Sequence, residues 1–295
     1  MSGTITPSKP DITLQPKVAS QTPINNNSVG EFVQETLALT KRLFIQLQRR
    51  PSTLIAGIIQ PVMWLVLFGA LFQNAPQGLF NGLSYGKFLG AGVIVFTAFA
   101  GALNAGLPVM FDREFGFLNR LLVAPLASRF SIVAASAIYI IALSFLQAAA
   151  IIGVSALLGA GLPNLVGLGI IASIIFLLVL GVTALSLGLA FALPGHIELI
   201  AVIFVTNLPL LFASTALAPL SFMPKWLQVV ASLNPLSYAI EPIRYLYNNA
   251  DWSLGSIVMQ TPWASISFGS ALLVLLAFDA VVLVAIQPLL RRRFA

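Results

Sequence analysis

Three charged residues in a row, Asp112-Arg113-Glu114, interrupt an otherwise apolar sequence, and Gly116 follows them. Apolar residues then continue towards Pro125, a residue type that ends helices. Because Gly116 permits a tight turn, the pattern predicts a short amphipathic helix at the face of a larger structure, with its charges able to meet a partner protein. An ordinary solvated loop is the alternative interpretation.

Residues that enzymes use for covalent or metal chemistry are scarce. The chain has no cysteine and one histidine, His196, which excludes disulfides, thiolate nucleophiles and zinc motifs that need two histidines. His196 and Glu198 lie in a predicted turn, and no nucleophile motif of the G-x-S-x-G type precedes them. We therefore expect no catalytic residue and no metal site, and a membrane enzyme is the least favoured class.

The composition is that of a membrane protein. Hydrophobic residues make up 58% of the 295 residues and charged residues 8%, with a mean hydropathy of +0.96. Soluble domains average about 25% charged residues, and a water-exposed surface this poor in charge would be one apolar patch. This excludes a soluble enzyme, a nucleic-acid-binding protein and a disordered protein. The net charge of +6 comes from short basic clusters rather than a continuous stripe, so no nucleic acid is expected as a partner.

The chain divides into a polar tail and a long hydrophobic region. Residues 1–28 are rich in Ser, Thr, Pro, Asn and Gln and predict a disordered tail. The spacing of apolar residues in Glu31–Arg50 predicts an amphipathic helix that suits the membrane surface. A membrane-spanning helix needs about 20 apolar residues, and six such runs follow: Leu54–Phe72, Phe88–Phe111, Ser131–Leu158, Val166–Leu193, Ile197–Leu220 and Ala264–Leu290.

The stretch from Ser221 to Pro262 differs from these runs. It is less apolar and contains several Pro, Trp and Tyr residues, and Trp and Tyr favour the membrane interface. We expect short half-helices there that dip into the outer leaflet. The sequence thus predicts an all-α polytopic membrane protein with six transmembrane helices, an N-terminal amphipathic interfacial helix and an outer re-entrant helical segment before the last span.

The distribution of Lys and Arg predicts the orientation in the membrane. With a cytoplasmic N-terminus, 12 of the 15 basic residues lie on the cytoplasmic side, and Lys87, Lys225 and Arg244 lie on the outer side. Basic residues are enriched in cytoplasmic loops. Both termini are therefore expected in the cytoplasm.

Two stretches resemble type-2 ABC exporter permeases, most of all the daunorubicin-exporter-like subgroup. In the first, an acidic residue and a glycine precede Leu121-Leu122, Pro125-Leu126 and a basic residue. The second is similar to the family's fifth span, outer re-entrant segment and Asn-Pro-Leu-Thr-Tyr-type motif, with Ser237 in place of the commoner threonine. Its residues are Asn207-Leu208-Pro209, Pro219, Met223–Leu227, Asn234–Tyr238 and Arg244. The resemblance covers roughly residues 30 to 295.

The resemblance implies that residues 29–295 form the transmembrane domain of an ABC exporter in a bacterial plasma membrane. Two permease subunits, identical or different, would form the pathway, and a separate ATPase would bind beneath them. The chain has no G-x-x-x-x-G-K-[ST] loop, so ATP and Mg²⁺ are expected on that ATPase and no cofactor on this chain.

The resemblance also assigns roles to individual residues. The helix Glu31–Arg50 would be a second contact with the ATPase, and Glu241 and Arg244 have the i, i+3 spacing of a helical ion pair. The residues assigned to ATPase coupling are Asp112, Arg113, Glu114, Gly116, Arg120, Leu121, Leu122 and Pro125, and those of the outer motif are Asn234, Pro235, Tyr238, Glu241 and Arg244.

Few polar residues lie within the predicted spans. Hydrogen bonding between helices is the default role of Gln60, Asn104, Gln147 and Asn207. Asn104, Asn207 and Asp279 are also candidates for the transport pathway, since a charge within a span often faces a cavity or partner. Asp279 could instead make a structural hydrogen bond.

The expected cargo is a hydrophobic or amphipathic molecule, such as a drug or a lipid, that is moved out of the cytoplasm or the inner leaflet. The abundance of phenylalanine, 21 residues, gives weak support to an apolar cargo. An exporter of polysaccharide or glycolipid is one alternative, and an ion-coupled secondary transporter that uses Asp279 is the other.

Overall fold

The computed structural model describes residues 28–49, 51–74, 76, 80, 85–116, 130–249 and 251–294. The predicted polar tail, apart from residue 28, lies outside these ranges. Two short strands, β1 (Ile257–Gln260) and β2 (Ser265–Ser267), pair antiparallel. The α-helices of the described ranges are α1 (Ser28–Arg49), α2 (Pro51–Leu71), α3 (Tyr85–Leu103), α4 (Gly106–Glu114), α5 (Phe130–Ser155), α6 (Leu165–Ala192), α7 (His196–Phe212), α8 (Lys225–Leu233), α9 (Pro235–Asn248) and α10 (Phe268–Phe294).

Among the described residues, five apolar helical stretches are long enough to cross a membrane. They are Leu54–Leu71 of α2, Tyr85–Glu114 across α3 and α4, Phe130–Ala160 (α5 and a π-helical turn after it), the whole of α6, and Phe268–Pro288 of α10. Five of the six predicted runs coincide with these stretches. The sixth falls on α7, which has 17 residues and is therefore about 25 Å long at 1.5 Å per residue.

Helix α3 lies at the centre of the fold. Fifteen of its 19 residues are buried, and α2, α5, α6 and α9 all pack against it. Helix α10 packs chiefly on α6 and also contacts α9. Helix α1 coincides with the predicted amphipathic helix and packs on α5, with Leu39 against a small apolar cluster that includes Val109 and Ile132. The position of α1 on a membrane surface stays a prediction.

The predicted second span is broken into α3 and α4 at Asn104-Ala105. The Nδ2 of Asn104 donates to the carbonyl oxygen of Ala100 at 2.7 Å. Ser186, on α6, bridges the break, because its hydroxyl donates to the carbonyl oxygen of Leu103 at 2.6 Å and accepts from the N–H of Gly106 at 2.9 Å. A side chain from another helix thus satisfies backbone groups that the break leaves without helical partners.

Between α7 and α10 the chain departs from the predicted pattern in two ways. Helix α7 ends at Phe212, earlier than the predicted Leu220, and the two short helices α8 and α9 follow where half-helices were predicted. The hairpin of β1 and β2 is added to the predicted all-α fold, and α10 starts at Phe268 rather than Ala264. The β-branched residues of Ile257-Val258 suit a strand, and the hydroxyl of Thr261 closes the turn by donating to the carbonyl oxygen of Ala264 at 2.7 Å.

Candidate functional site

Glu114, the last residue of α4, reaches the first turn of α7. Its Oε1 accepts a hydrogen bond from the backbone N–H of His196 at 3.0 Å, and its Oε2 pairs with the Nδ1 of the His196 imidazole. The first N–H groups of a helix have no partner within the helix and carry partial positive charge. The Glu114 carboxylate therefore caps α7. The Phe111 ring also contacts the His196 imidazole, with 5.3 Å between the ring centres.

Arg113 binds the C-terminal end of α6. Its Nη1 donates to the carbonyl oxygen of Ala190 at 2.8 Å, and its Nη2 donates to those of Leu193 and Pro194 at 2.6 Å each. The last carbonyls of a helix are unpaired and partially negative, so a planar guanidinium with several donors suits them. A contact between Arg113 and an ATPase, which the family resemblance implies, would have to compete with these bonds.

Asp112 faces a third element, the helix α1. Its Oδ2 lies 3.6 Å from the Nη1 of Arg42, and both side chains are about one-third exposed, so the pair adds little stability. The pair nevertheless sets a contact between α4 and α1. The charged triad, defined as Asp112, Arg113 and Glu114, thus ties α4 to α1, α6 and α7.

The remainder of the predicted coupling segment begins with a turn. Gly116 has a φ of 74°, a conformation that glycine adopts much more readily than other residues. Four of the candidate coupling residues, Arg120, Leu121, Leu122 and Pro125, lie outside the described residues.

At the opposite end of the bundle, Arg244 of α9 is buried among polar partners. Its Nε donates to the carbonyl oxygen of Phe88 at 3.2 Å, and its Nη2 donates to that of Thr215 at 2.7 Å. Its Nη1 pairs with the Glu241 carboxylate, as the sequence spacing allows, and the guanidinium carbon lies 3.6 Å from the centre of the Phe88 ring. Buried charges are tolerated when they are paired and hydrogen-bonded. One guanidinium therefore joins α3, α9 and the segment after α7.

Asn234 holds the end of α7 to the short helices. Its Nδ2 donates to the carbonyl oxygens of Leu210 at 2.8 Å and Ala213 at 2.6 Å, and its Oδ1 accepts from the N–H of Leu236 at 3.0 Å. The same side chain thus satisfies the last carbonyls of α7 and the first turn of α9.

The rest of the outer motif makes similar local bonds. Pro235 is the first residue of α9, a position where its missing N–H has no helical partner to lose. The hydroxyl of Tyr238 donates to the carbonyl oxygen of Ser232 at 2.8 Å. Ser237, which replaces the commoner threonine, accepts from the N–H of Thr215 at 3.2 Å, so its hydroxyl is used in holding α9 to the segment after α7.

Helix α7 runs from the hydrogen bonds made by Glu114, at one end of the bundle, to those made by Asn234 at the other. Glu114 caps its first turn, and Asn234 binds its last carbonyls. The α3–α4 stretch runs between the same two ends, from Phe88, which Arg244 contacts, to Glu114. Side chains therefore join α7, or the segment that follows it, to the α3–α4 stretch at both ends.

A cavity of about 400 Å³ lies between these ends, among α2, α3, α5 and α7. The predicted pathway residues Asn104 and Asn207 both line it, as do Gln60 and Gln147, whose predicted role is hydrogen bonding between helices. The described residues that line it include no charged side chain. The structure thus brings together four amide side chains that are widely separated in the sequence.

Asp279, the third predicted pathway residue, is not among the residues that line this cavity. Its side chain, on α10, is 4% exposed and lies against α6. A methyl group added at Gly181 of α6 would collide with its Oδ1 and would come within 2.7 Å of the Phe278 ring. Gly181 therefore makes the room in which Asp279 is buried between the two helices.

Comparison with known proteins shows what this chain is similar to. Residues 34–248 match the model of the family described as ABC-2 type transporter. The chain is 55% identical over 264 residues to the transport permease ycf38 of Porphyra purpurea, which covers 89% of this chain and 91% of that protein. It is 54% identical over 264 residues to the protein of the same name from Cyanophora paradoxa, with the same coverage. The doxorubicin resistance ABC transporter permease protein DrrC of Mycobacterium tuberculosis is 26% identical over 252 residues, which cover 81% of this chain and 85% of that protein.

Proposed function

Because this chain belongs to the ABC-2 type transporter family, we propose that it is the membrane subunit of an ATP-driven exporter whose ATPase is a separate protein. The single observation that supports coupling between the ATPase and the membrane helices at the end of α4 is the charged triad. It ties α4 to α1, α6 and α7. Closure of an ATPase must reach the membrane helices through a rigid, packed element. Helix α4 and the triad form such an element.

The ATPase contact in this proposal comprises α1 and the segment 112–129. Asp112, Arg113, Glu114 and Gly116 lie at the start of that segment, and Arg120, Leu121, Leu122 and Pro125 follow them. ATP and Mg²⁺ are bound by the ATPase, and this chain contributes no catalytic residue. The bonds from Glu114 to α7 and from Arg113 to α6 would carry the movement into the membrane region.

The proposed topology has six crossings with both termini in the cytoplasm. The bonds that join α7 and the segment after it to the α3–α4 stretch at both ends support a sixth crossing. The outer end then contains Arg244, Asn234 and the short helices α8 and α9, and the re-entrant position of these helices in the outer leaflet belongs to the proposal. Two such subunits, identical or different, would form the pathway in a lipid bilayer, and the bacterial plasma membrane is the proposed location.

The proposed cargo is a hydrophobic or amphipathic molecule that is moved out of the cytoplasm or the inner leaflet. The uncharged cavity of about 400 Å³ favours a small molecule of this kind over a polysaccharide chain, and the relative DrrC is named for resistance to doxorubicin. An ion-coupled transporter would need a titratable group on the pathway, and Asp279 is not among the described residues that line this cavity.

Co-purification in mild detergent tests the proposal. The full chain is tagged and isolated from native membranes, and the proteins recovered with it are identified. We expect a soluble ATPase to be recovered with the wild type and with Glu198→Gln, a control for an exposed acid in the first turn of α7. We expect it to be lost when Glu114 and Gly116 are substituted. Recovery of a well-folded chain without any ATPase would contradict the proposal.

A further inference from the structure

A second cavity lies at the end of the bundle that contains Arg244. Its volume is about 510 Å³, and small-molecule sites typically have roughly 300–1,000 Å³. The wall of this outer pocket combines Phe88 of α3, Gln228 of α8 and Glu241 of α9 with residues 219–221 and 257–262. None of these residues belongs to the described wall of the cavity of about 400 Å³. The outer pocket is therefore a separate site, and it lies on the outer side in the proposed topology.

Glu241 places an unused carboxylate oxygen at the outer pocket. Its Oε1 pairs with the Nη1 of Arg244, whereas its Oε2 has no hydrogen-bond partner among the described residues. The Glu241 side chain is 12% exposed and lines the pocket, and Oε2 is not one of the fully enclosed side-chain oxygens. A molecule in the pocket can therefore reach this oxygen. An ionised carboxylate only accepts hydrogen bonds, so the molecule has to supply a donor.

Gln228 adds a second acceptor to the wall. Its Nε2 donates to the carbonyl oxygen of Met223 at 2.8 Å, and this bond leaves the amide Oε1 for the pocket. Ser221 and Gln260, both exposed, also lie in the wall, and their side chains can donate as well as accept. The polar part of the wall therefore suits a ligand with several donors that can also accept, which is the chemistry of hydroxyl groups.

The strand β1 forms one side of the outer pocket with its edge. All four of its residues, Ile257–Gln260, line the pocket, although successive side chains of a strand point to opposite faces. Gln260 lies opposite Ser265, next to Thr261, whose N–H donates to the carbonyl oxygen of Ala264 at 2.9 Å. Because hydrogen-bonded and non-bonded pairs alternate in an antiparallel ladder, the N–H and C=O of Gln260 point away from β2. The free edge of β1 thus adds a backbone donor and a backbone acceptor.

The charge of the outer pocket decides between classes of ligand. Glu241 is the one ionisable side chain among the described lining residues, and the buried Arg244 balances its charge. An anion would meet the carboxylate without any cation in the described wall, and an ammonium group would be repelled by the nearby guanidinium. Neutral hydroxyl groups meet neither obstacle.

We infer that the outer pocket binds a neutral polyhydroxylated group, such as a sugar ring, with one hydroxyl bound by the Oε2 of Glu241 and others by Gln228, Ser221 and the edge of β1. Arg244 is then a positioning residue, which holds the Glu241 carboxylate in the wall. The inference goes beyond the proposed function, because it assigns a second ligand site that depends neither on the ATPase nor on the cargo.

Ligand-observed NMR on the full chain in lipid nanodiscs tests the inference. Saturation transfer is measured to three neutral probes, the methyl glycosides of glucose, galactose and mannose, and empty nanodiscs provide the blank. The methyl glycoside of glucuronic acid is the anionic counterpart. The methyl glycoside of glucosamine, at a pH where its amine is charged, is the cationic one. All the probes contain the same kind of ring, so differences in their binding report on charge.

The expected result is saturable transfer to at least one neutral probe, with the charged probes bound at least about tenfold more weakly. Gln228→Met, which keeps the side-chain length, is expected to weaken binding about two- to tenfold, the range for one hydrogen bond. Glu241→Gln is expected to weaken it about tenfold or more, because hydrogen bonds to a charged acceptor are stronger. Gln73→Met, at an exposed glutamine outside the described wall, is the matched control and should bind as the wild type does.

Three results would overturn the inference: no saturable transfer to any neutral probe, a charged probe bound as tightly as the neutral ones, or unchanged binding in both Gln228→Met and Glu241→Gln. Melting temperatures are compared with that of Gln73→Met, because Glu241→Gln leaves Arg244 without its ionic partner. If Glu241→Gln does not fold, Ser221→Ala takes its place beside Gln228→Met. Recovery of an ATPase plays no part in this test, so the inference can fail while the proposed function stands, and the reverse.

Discussion

The carboxylate of Glu114, at the end of α4, accepts a hydrogen bond from the backbone N–H of His196, at the start of α7, across 82 positions of sequence. The same carboxylate pairs with the imidazole of that residue, the single histidine of the chain. The Glu114 side chain thereby joins the end of α4 to the start of α7, beside the contact between the Phe111 ring and the imidazole. This contact, together with that of Arg113 to α6, makes the end of α4 a junction rather than a solvated loop.

Replacement of Glu114 tests the junction with α7. In Glu114→Gln the hydrogen bond from the His196 N–H can persist, but the negative charge at the helix N-terminus is lost; in Glu114→Ala both are lost. We expect ATP-dependent transport to be lower in Glu114→Gln than in the wild type, and lower again in Glu114→Ala. The amount of folded protein in the membrane should change little. The exposed acid Glu198, varied as Glu198→Gln, is the matched control. Equal transport in Glu114→Ala and Glu198→Gln would contradict a role for the junction.

Arg113→Lys tests the contact with α6. A lysine keeps the positive charge but cannot direct several planar donors at the carbonyl oxygens of Ala190, Leu193 and Pro194. Hydrogen bonds to charged groups contribute about 1.5–3 kcal/mol each. We expect the free energy of unfolding to drop by about 1–2 kcal/mol after allowance for partial exposure. The control is Arg49→Lys on the exposed surface of α1. A drop of the same size in both variants would contradict a stabilising role for the hydrogen bonds from Arg113 to α6.

Arg244→Met tests the buried ion pair at the outer end. Removal of the guanidinium leaves the Glu241 carboxylate without its partner and breaks the bonds to α3 and to the segment after α7. Breaking a buried pair destabilises a protein by about 3–5 kcal/mol, so we expect a large loss of folded protein and a lowered melting temperature. Addition of Glu241→Gln should restore part of the stability, because no unpaired charge remains. Lys225→Met, at an exposed site, should have little effect.

Gly181→Ala tests the close packing of α6 on α10. The added methyl would collide with Asp279 and approach the Phe278 ring, so the two helices must move apart. Overpacking of this kind lowers stability by about 1–3 kcal/mol. Gly169→Ala lies on the same helix where an added methyl meets nothing within 4 Å, and it should be neutral or slightly stabilising. Indistinguishable melting temperatures for the two variants would refute the close contact.

The long helices could be predicted because a run of apolar residues is itself the physical requirement for crossing a membrane. The residues at which these helices end could not be predicted, because the backbone groups there are bonded by side chains that are distant in the sequence. Ser186 of α6 bridges the break between α3 and α4, and Asn234 takes the last carbonyls of α7. The hairpin of β1 and β2 escaped prediction because its strands have only four and three residues; β1 lies in the stretch predicted as half-helices, and β2 at the start of the predicted last span.

The site residues could be predicted by type but not by partner. The charges of the triad stood out against an apolar sequence, whereas the carbonyl of Ala190 that Arg113 binds is 77 positions away and leaves no sequence signal. Gln147 was expected only to join helices, because its place in the cavity wall depends on how α2, α3 and α5 pack together. Ser186 and Thr215 carried no signal beyond being polar within or beside apolar runs.

ATP-dependent transport in reconstituted vesicles is the most direct test of the central claim that this chain is the membrane subunit of an ATP-driven exporter. The full chain is reconstituted with and without the ATPase that co-purifies with it, and movement of N-phenyl-1-naphthylamine is followed by its fluorescence. We predict transport that requires both the ATPase and ATP and that is lost in Glu114→Ala. Transport by this chain alone, driven by a proton gradient and unaffected by Glu114→Ala, would contradict the claim.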